Sequence, residues 1–230
     1  MVDKFTFGGI NSDDFHMYIS GYGTYGTSER DVTIQSIPGR NGDLTIDNGR
    51  FTNIGVIYKA VIYDNLAENY KAFSSQISKL KGYQRLEDTF HPDEFRLGIF
   101  RGGLKPKLRG YNGAGLELTF NCKPQKYLKS GEEVFEINQE GLLNNPTDFD
   151  ANPLIKLYGS GTLTINSTSL VVTNVAANDY IMIDSELMNA YKGSTNLNSK
   201  ISGPFPKLVP GDNEITYTGA LEIEPRWFYI

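Results

Sequence analysis

The sequence predicts a mainly β protein of two domains: an N-terminal domain of strands with one α-helix, and a smaller C-terminal β-sandwich. Three observations favour this fold class. The 230 residues include 24 glycines, 13 phenylalanines and 14 tyrosines, a composition typical of strands and turns. Short segments alternate apolar and polar residues, and a single segment shows clear helical periodicity. The net charge changes sign near residue 130.

Two Asn-Gly pairs organise the first strands. Residues 31–35 alternate polar and apolar, which predicts a strand, and Asn41-Gly42 predicts a turn after it because both residues tolerate positive φ. Asn48-Gly49 predicts a second turn, so residues 44–46 have room only for a very short strand. Residues 54–63 are mostly β-branched or aromatic, which predicts a strand buried on both faces.

The helix is predicted directly after this strand. Its apolar residues recur at steps of four and three and form one stripe, consisting of Leu66, Tyr70, Phe73, Ile77 and Leu80. Asp64 or Asn65 can cap its start, and Gly82 is placed to end it in the left-handed conformation. We expect the stripe to cover one face of a sheet.

The clearest strand spans residues 116–123, where every second side chain is apolar. Cys122 lies on the inward side of this pattern, so we interpret it as a small core residue and not as a nucleophile. Because it is the only cysteine, an internal disulfide is excluded, and we expect synthesis in a cytoplasm.

The charge distribution predicts the domain boundary. Residues 1–130 hold 17 basic against 14 acidic residues, a net charge of +3, whereas residues 131–230 hold 5 against 13, a net charge of −8. We predict an N-terminal domain over residues 1–127, a polar linker over residues 128–150 and a C-terminal domain over residues 151–230. Basic and acidic residues are mixed in the first domain, which indicates a solvated surface and not a nucleic-acid site.

The C-terminal domain has short apolar segments separated by turn residues, a pattern typical of a small β-sandwich. The predicted strands are residues 154–158, 162–166, 170–173, 180–184, 214–218 and 221–230. Asn166-Ser167-Thr168 is expected to form the hairpin turn between the second and third of them. Residues 185–191 fit either a helical turn or a continued strand.

Several classes of protein are excluded by motifs and composition. No apolar run approaches the roughly 20 residues that cross a bilayer, so no membrane association is expected. The N-terminus has no apolar h-region, and a secretory signal is not expected. The G-x-S-x-G, Walker, H-E-x-x-H and C-x-x-C motifs are absent. We therefore predict a protein that is not an enzyme and needs neither metal nor cofactor.

Three patterns match catalytic or cofactor motifs only in part. Residues 21–26 read G-x-G-x-x-G, but they lead into a strand where a dinucleotide site needs a helix N-terminus. His16 and His91 are too few for most metal or triad chemistry, and we assign them structural or surface roles. Glu87-Asp88 and Asp93-Glu94 are adjacent acids, which point to opposite faces of a strand and do not predict a glycosidase pair.

Sugar binding by the C-terminal domain is the main alternative that the residues leave open. Such a site needs an exposed aromatic platform beside convergent polar groups. The domain has one tryptophan, Trp227, next to Arg226, and these two residues are the candidate sugar site, with Tyr191 and Tyr217 as possible additions.

Longer strings along the chain carry a family resemblance. They are FTFGGINSDDF at residues 5–15, IPGRNGDL at 37–44, IDNGRF at 46–51, GYQRL at 82–86, HPDEF at 91–95, LTFNCKPQ at 118–125, NPLI at 152–155, AYKGSTN at 190–196 and PRW at 225–227. Together they resemble the distal tail (Dit) proteins of long-tailed siphoviruses or prophages of Gram-positive hosts. The resemblance covers nearly the whole chain in order.

This resemblance implies a structural role in the virion, at the tail tip or baseplate. It implies that the N-terminal domain is a β-sandwich with one α-helix and a β-hairpin, and that this domain assembles into a ring of six copies. It also implies that the C-terminal sandwich is galectin-like. The implied partners are the major tail-tube protein and the tail-associated hub or fibre protein, with the tape-measure protein as a further candidate. DNA would pass through the ring without specific binding.

The chain departs from the family pattern in one respect. Some members carry a long arm in the second domain that holds receptor-binding proteins, whereas residues 151–230 leave no room for such an arm. Two classes of function therefore stand at this point, a structural assembly hub and a carbohydrate-binding adhesion protein.

Overall fold

Alternating apolar side chains build two separate β units in this chain. The computed structural model describes residues 2–20, 26–110 and 112–230. The chain divides into two compact units, residues 1–126 with Ile230 and residues 127–229. The fold is mainly β, and the two curled sheets form sandwich-like domains, as the sequence predicts.

The first unit contains most of the aromatic residues of the chain. Its strands are β1 (Phe5–Phe7), β2 (Ile10–Asn11), β3 (Met17–Ser20), β4 (Arg30–Gln35), β5 (Leu44–Phe51), β6 (Ile54–Ile62), β7 (Gln84–Asp88), β8 (Glu94–Phe100), β9 (Lys107–Arg109) and β10 (Gly113–Leu128). A 3-10 helix spans Ser12–Phe15, and α1 spans Leu66–Ile77. The main sheet has the order β2-β1-β7-β8-β10-β6-β3, and β9 pairs with β10. The strands β4 and β5 form a sheet of their own.

The predicted helix exists, and its stripe covers the first unit's core. Phe73 and Ile77 are buried, and the Phe73 ring lies edge-on to Phe5 at 6.2 Å and to Phe15 at 5.5 Å. The prediction of its end is wrong. The helix ends at Ile77. The N–H groups of Lys79 and Leu80 donate to carbonyls three residues back, at 3.1 and 3.3 Å, and Gly82, at φ +69°, lies beyond this tightened turn.

Strand β6 is not buried on both faces as predicted. Val56, Tyr58, Ala60 and Ile62 are buried, whereas the alternate residues are half-buried or exposed. The reason is that β6 pairs antiparallel with β10 on one edge and β3 on the other, within a sheet that has one face on the core.

The predicted turn at Asn48-Gly49 is a second error. Strand β5 is eight residues long, Leu44–Phe51, and includes this pair. The register against β4 shifts between Arg30 and Val32, and Gly49, at φ +70°, occupies the irregular position. Its N–H donates to Asp47 Oδ1 at 2.8 Å, so the Asn-Gly pair forms a bulge within the strand.

The second unit is a sheet whose apolar side chains pack into one core. Its strands are β11 (Phe135–Asn145), β12 (Leu154–Tyr158), β13 (Gly161–Ile165), β14 (Thr168–Val172), β15 (Tyr180–Asp184), β16 (Asn189–Lys192), β17 (Thr195–Asn196), β18 (Ile201–Ser202), β19 (Gly211–Glu224) and β20 (Phe228–Tyr229). Two 3-10 helices span Lys129–Glu132 and Asn198–Lys200. The sheet order is β17-β16-β15-β12-β19-β13-β14-β18, and β11 pairs with β19. The bounds of β12 and β15 match the prediction.

Residues 128–150 do not form the predicted linker. They contain a 3-10 helix and the eleven-residue strand β11, which pairs antiparallel with β19 from Phe135↔Ile223 to Asn145↔Gly211. Ile137 and Leu143 of β11 are buried in the core of the second unit. The polar composition reflects the outward side chains of an edge strand, which alternate with these apolar ones.

The last two predicted strands, residues 214–218 and 221–230, are divided differently in the structure: residues 214–224 belong to one strand, and residues 228–229 form the short strand β20. Strand β19 runs unbroken over Gly211–Glu224 because β11 pairs with both of its halves. The change of partner on its other edge, from β13 to β12, occurs at residues 218–220. A Cβ atom on Gly219 would lie 2.7 Å from the Tyr158 carbonyl oxygen, so this position needs a glycine.

Candidate functional site

The most exposed apolar surface of the first unit is the hairpin formed by β4 and β5. Nearly all of its side chains are exposed, including large apolar ones. These are Val32, Ile34, Ile37, Leu44 and Ile46, and Ile34 is 65% exposed. We call this two-stranded sheet, residues 30–51, the apolar hairpin.

The apolar hairpin presents apolar side chains on both faces. Val32 and Ile34 pair with Asp47 and Thr45, whereas Ile46 pairs with Thr33. Because opposed residues share a face and neighbours along a strand do not, two apolar side chains lie on each face. Both faces are open to solvent, since nearly all side chains of the two strands are exposed. Neither strand pairs with another described strand.

Ion pairs hold the hairpin together across its strands. Arg50 Nε lies 2.6 Å from Asp31 Oδ2, and Arg30 Nη1 lies 2.7 Å from Asp47 Oδ2. Hydrogen bonds from Asn48 and Arg50 lower the pKa of Asp31. The pKa of Asp47 is lowered by the Gly49 N–H and by Arg30. Both carboxylates therefore stabilise the hairpin above their unfolded pKa and lose this contribution as the pH falls through their folded pKa.

Such a surface is typical of a contact with another chain. An isolated two-stranded hairpin is marginally stable in water, and exposed apolar strands with free edges favour pairing or packing with a partner. The sequence shows the strands but not their exposure, because Val32, Ile34 and Ile46 follow the same alternation as buried strand residues elsewhere. The apolar hairpin is therefore the candidate functional site, as a surface suited to contact with a partner chain.

His91 belongs to a polar cluster at the turn between β7 and β8. The Tyr58 hydroxyl donates to Asp88 Oδ2 at 2.6 Å, and His91 Nδ1 lies 2.9 Å from Asp88 Oδ1. The backbone N–H groups of Phe90 and His91 also donate to Oδ1, both at 2.9 Å. Burial, and then the Asp88 carboxylate, raise the pKa of Tyr58. These hydrogen bonds stabilise the turn. The adjoining cavity has a volume of only about 20 Å³, which leaves no room for a substrate.

The remaining candidate residues serve the fold or lie on the surface. Cys122 is fully buried, and burial raises the pKa of its thiol to about 12, which confirms it as a core residue. His16 is a surface residue whose Nδ1 lies 3.8 Å from Asp64 Oδ2. Of the glycine motif at residues 21–26, residues 21–25 lie outside the described residues, and the next element is the strand β4.

The candidate sugar site does not present an aromatic face. Trp227 is only 3% exposed and belongs to the core of the second unit, and Tyr217 is equally buried. Arg226 is bound to Asp184, with Nη1–Oδ1 at 3.0 Å and Nη2–Oδ2 at 3.3 Å. Because a sugar ring stacks on an exposed aromatic face, this arrangement does not favour sugar binding through Trp227 and Arg226.

Asp184 is a polar residue of the second unit that sequence reasoning missed. Its carboxylate is 4% exposed and also accepts hydrogen bonds from the backbone N–H groups of Glu186 and Leu187, both at 3.0 Å. Arg226 has a positive φ of 60°, and its N–H donates to the Gly131 carbonyl at 2.7 Å. The pair fixes the turn before the final strand.

No group of three or more histidine, cysteine, aspartate or glutamate side chains is arranged to hold a metal ion in the part of the chain that the structure covers. Over the same residues, no helix has the length and apolar character needed to span a bilayer.

Comparison with known proteins identifies a similar solved fold. No protein-family model matches the chain, and no curated protein matches it. A similar structure is the crystal structure of SPP1 Dit (gp 19.1), described as a paradigm of the hub adsorption apparatus in phages that infect Gram-positive bacteria. The TM-score is 0.77 at 12% sequence identity, and the match covers 97% of each chain. At this identity the likeness shows a shared fold along nearly the full length of both chains.

Proposed function

We propose that this chain is a structural hub protein of a phage tail. The observation that carries the proposal is the fold likeness over 97% of both chains to a protein described as a hub of the adsorption apparatus. The strings that resemble distal tail proteins support it independently, because they are a property of the amino-acid sequence and the likeness to SPP1 Dit is one of fold. The role is non-enzymatic, and the place of the protein is the virion tail tip or baseplate of a siphovirus or prophage with a Gram-positive host.

The hub is proposed to be a ring of six copies around a channel for DNA. On this proposal it joins the major tail-tube protein to the tail-associated hub or fibre protein, and the tape-measure protein is a further partner. Synthesis takes place in the cytoplasm of the host bacterium. The C-terminal galectin-like sandwich lies at the periphery of the tail tip.

The apolar hairpin supplies a contact for this assembly. Its uncovered apolar side chains and free strand edges need a partner, and a ring offers one at every copy. Burial of Ile34, 65% exposed in the single chain, would remove apolar surface from water at each contact. The hairpin's own ion pairs keep it in shape before it meets the next copy.

The mass of the assembled protein tests the ring. Six chains of 25.7 kDa give about 154 kDa, and light scattering over a concentration series should approach this value. Single chains at high dilution are compatible with the proposal because assembly depends on concentration. A mass that stays at that of one chain at high concentration, together with no cyclic arrangement in purified tails, would remove the support for a ring.

Charged substitutions in the apolar hairpin test the contact. The double variant Ile34→Asp/Ile46→Asp should shift assembly to at least about tenfold higher concentration, because each contact would bury an unpaired charge. The free energy of unfolding should change little, since both side chains are exposed. The matched control is Leu187→Asp, which changes an exposed leucine of the second unit and should assemble normally. Normal assembly of the double variant would place the contact elsewhere.

A further inference from the structure

A basic groove crosses the first unit beside β9. It encloses about 770 Å³ and is lined by residues of β3, β6, β9 and β10 and of the segment before β9. Four of the lining residues are basic, Lys59, Lys105, Lys107 and Arg109, against one acidic residue, Glu117. The groove therefore has an excess of positive charge, and we call it the basic groove.

Three of its four cations have no compensating charge. Lys59 lies directly opposite Glu117 in the pairing of β6 with β10, so the positive charge of Lys59 faces the one acidic side chain of the groove. Lys105, Lys107 and Arg109 form no ion pair with any residue in the described ranges. All three are exposed. Their charges are free to interact with a ligand.

These three cations are spaced for an extended ligand. Lys107 and Arg109 occupy alternate positions of β9, so their side chains share one face at a spacing of about 7 Å. Lys105 lies two residues before the strand and lines the same groove. Glycines line the groove beside these cations, so few side chains occupy the space next to them. These glycines are Gly102, Gly103 and Gly115. The Arg109 side chain lies across Gly115, where a Cβ atom would come within 3.1 Å of Arg109 Nε.

Strand β9 also offers backbone hydrogen-bonding groups. One edge pairs with residues 113–115 of β10, and no other described strand pairs with β9. A free strand edge binds an extended peptide through main-chain hydrogen bonds, and the side chains at alternate positions determine which peptide fits. Leu108, which is 77% exposed, lies between the two cations of β9.

We propose that the basic groove binds an extended acidic segment of a partner protein, which adds a strand to the edge of β9. Carboxylates at alternate positions of that segment would lie opposite Lys107 and Arg109, as opposite charges do in cross-strand pairs, and a further carboxylate would meet Lys105 beside the strand. Arg109 can hold one of them through two parallel hydrogen bonds. A single-stranded nucleic acid is less well matched, because its binding sites use aromatic platforms and no aromatic side chain is among the described lining residues. The inference does not depend on the ring.

A labelled peptide of alternating glutamate and threonine tests the proposal by fluorescence anisotropy with the full chain. Saturable binding that weakens with added salt is expected, and the same peptide with glutamine for glutamate should bind at least about tenfold more weakly. The variant Lys105→Gln/Lys107→Gln/Arg109→Gln should lose affinity to a similar extent. Its matched control is Lys71→Gln/Lys79→Gln/Lys81→Gln, which removes equal charge from exposed positions on and after α1 and should bind like the unchanged protein.

Four results of the binding measurements would overturn the proposal. They are absence of saturable binding, equal binding of the glutamine peptide, equal loss in both triple variants, and preference for a single-stranded oligonucleotide that depends on the groove cations. Loss of self-association in the groove variant without peptide would assign the groove to a second copy of the chain and would also overturn it. If the triple variant unfolds, Arg109→Gln alone replaces it, with Lys71→Gln as its control.

Discussion

Replacing Phe73 with alanine is expected to lower the free energy of unfolding of the first unit by about 3–5 kcal/mol. The ring is fully buried on α1 and touches Phe5 and Phe15 edge-on. Its removal leaves a cavity that these rings cannot fill without breaking their own contacts. Since the total stability of a domain is about 5–15 kcal/mol, such a loss is a large part of it.

Denaturant unfolding followed by circular dichroism measures this effect. The control is Gln76→Ala on the same helix, an exposed position that should change stability by less than about 0.5 kcal/mol. If Phe73→Ala kept the stability of the unchanged protein and failed to assemble, the helix stripe would be a contact between copies and not a core element.

The Trp227→Ala variant should show a loss of similar size in the second unit, about 3–5 kcal/mol. Trp227 is 3% exposed, and its carbonyl accepts the Leu128 N–H at 2.9 Å. The backbone around it is tightly packed, since a Cβ atom on Gly131 would lie 2.5 Å from the Trp227 nitrogen. We expect no glycan binding by the unchanged protein, because the ring has no exposed face.

Calorimetry with cell-wall glycans and thermal unfolding together decide between the two roles of Trp227. Leu187→Ala is the control, because this leucine is 70% exposed and its truncation should leave the unfolding temperature nearly unchanged. Saturable glycan binding by the unchanged protein, lost in a Trp227→Ala variant that keeps its fold, would make the second unit an adhesion module.

Local sequence patterns were sufficient for elements whose environment is simple. Strands β12 and β15 alternate apolar and polar residues and are bounded by turn residues, and their bounds match the prediction. The Phe73 stripe located α1 because helical spacing depends only on neighbouring turns. The hairpin turn at Asn166, with φ +52°, was predicted for the same local reason.

Long-range pairing explains the errors. Nothing local in residues 128–150 indicates that β11 pairs with β19, whose partner residues lie about 60 to 90 positions further along the chain. The same pairing joins two predicted strands into β19. At Asn48-Gly49 the preference for a turn was real, but the pairing of β5 with β4 converted it into a bulge.

For the candidate site, the sequence predicted that strands are present but not that their apolar side chains are exposed. The sequence located the strands of the apolar hairpin, but exposure depends on which faces other elements cover, and that is a property of the whole fold. For the complementary reason, the sequence left Trp227 open as a candidate for sugar binding: a lone tryptophan does not reveal whether a core encloses it. Asp88 and Asp184 also became recognisable only with their donors in place.

The apolar hairpin also has a consequence for the order of events during synthesis. Its strands pair through residues close in sequence, Gln35 with Leu44, whereas the β1–β7 pairing must bring Phe5 to Asp88. Hairpins of this kind close in about 1–10 μs, well before sheets that depend on distant segments. In a newly synthesised chain, the apolar hairpin would therefore form early, and its apolar side chains would stay exposed until a partner chain covers them. Overproduction of the chain without a partner should therefore favour aggregation through these strands, and the rate of synthesis becomes a determinant of how much protein reaches its assembled state.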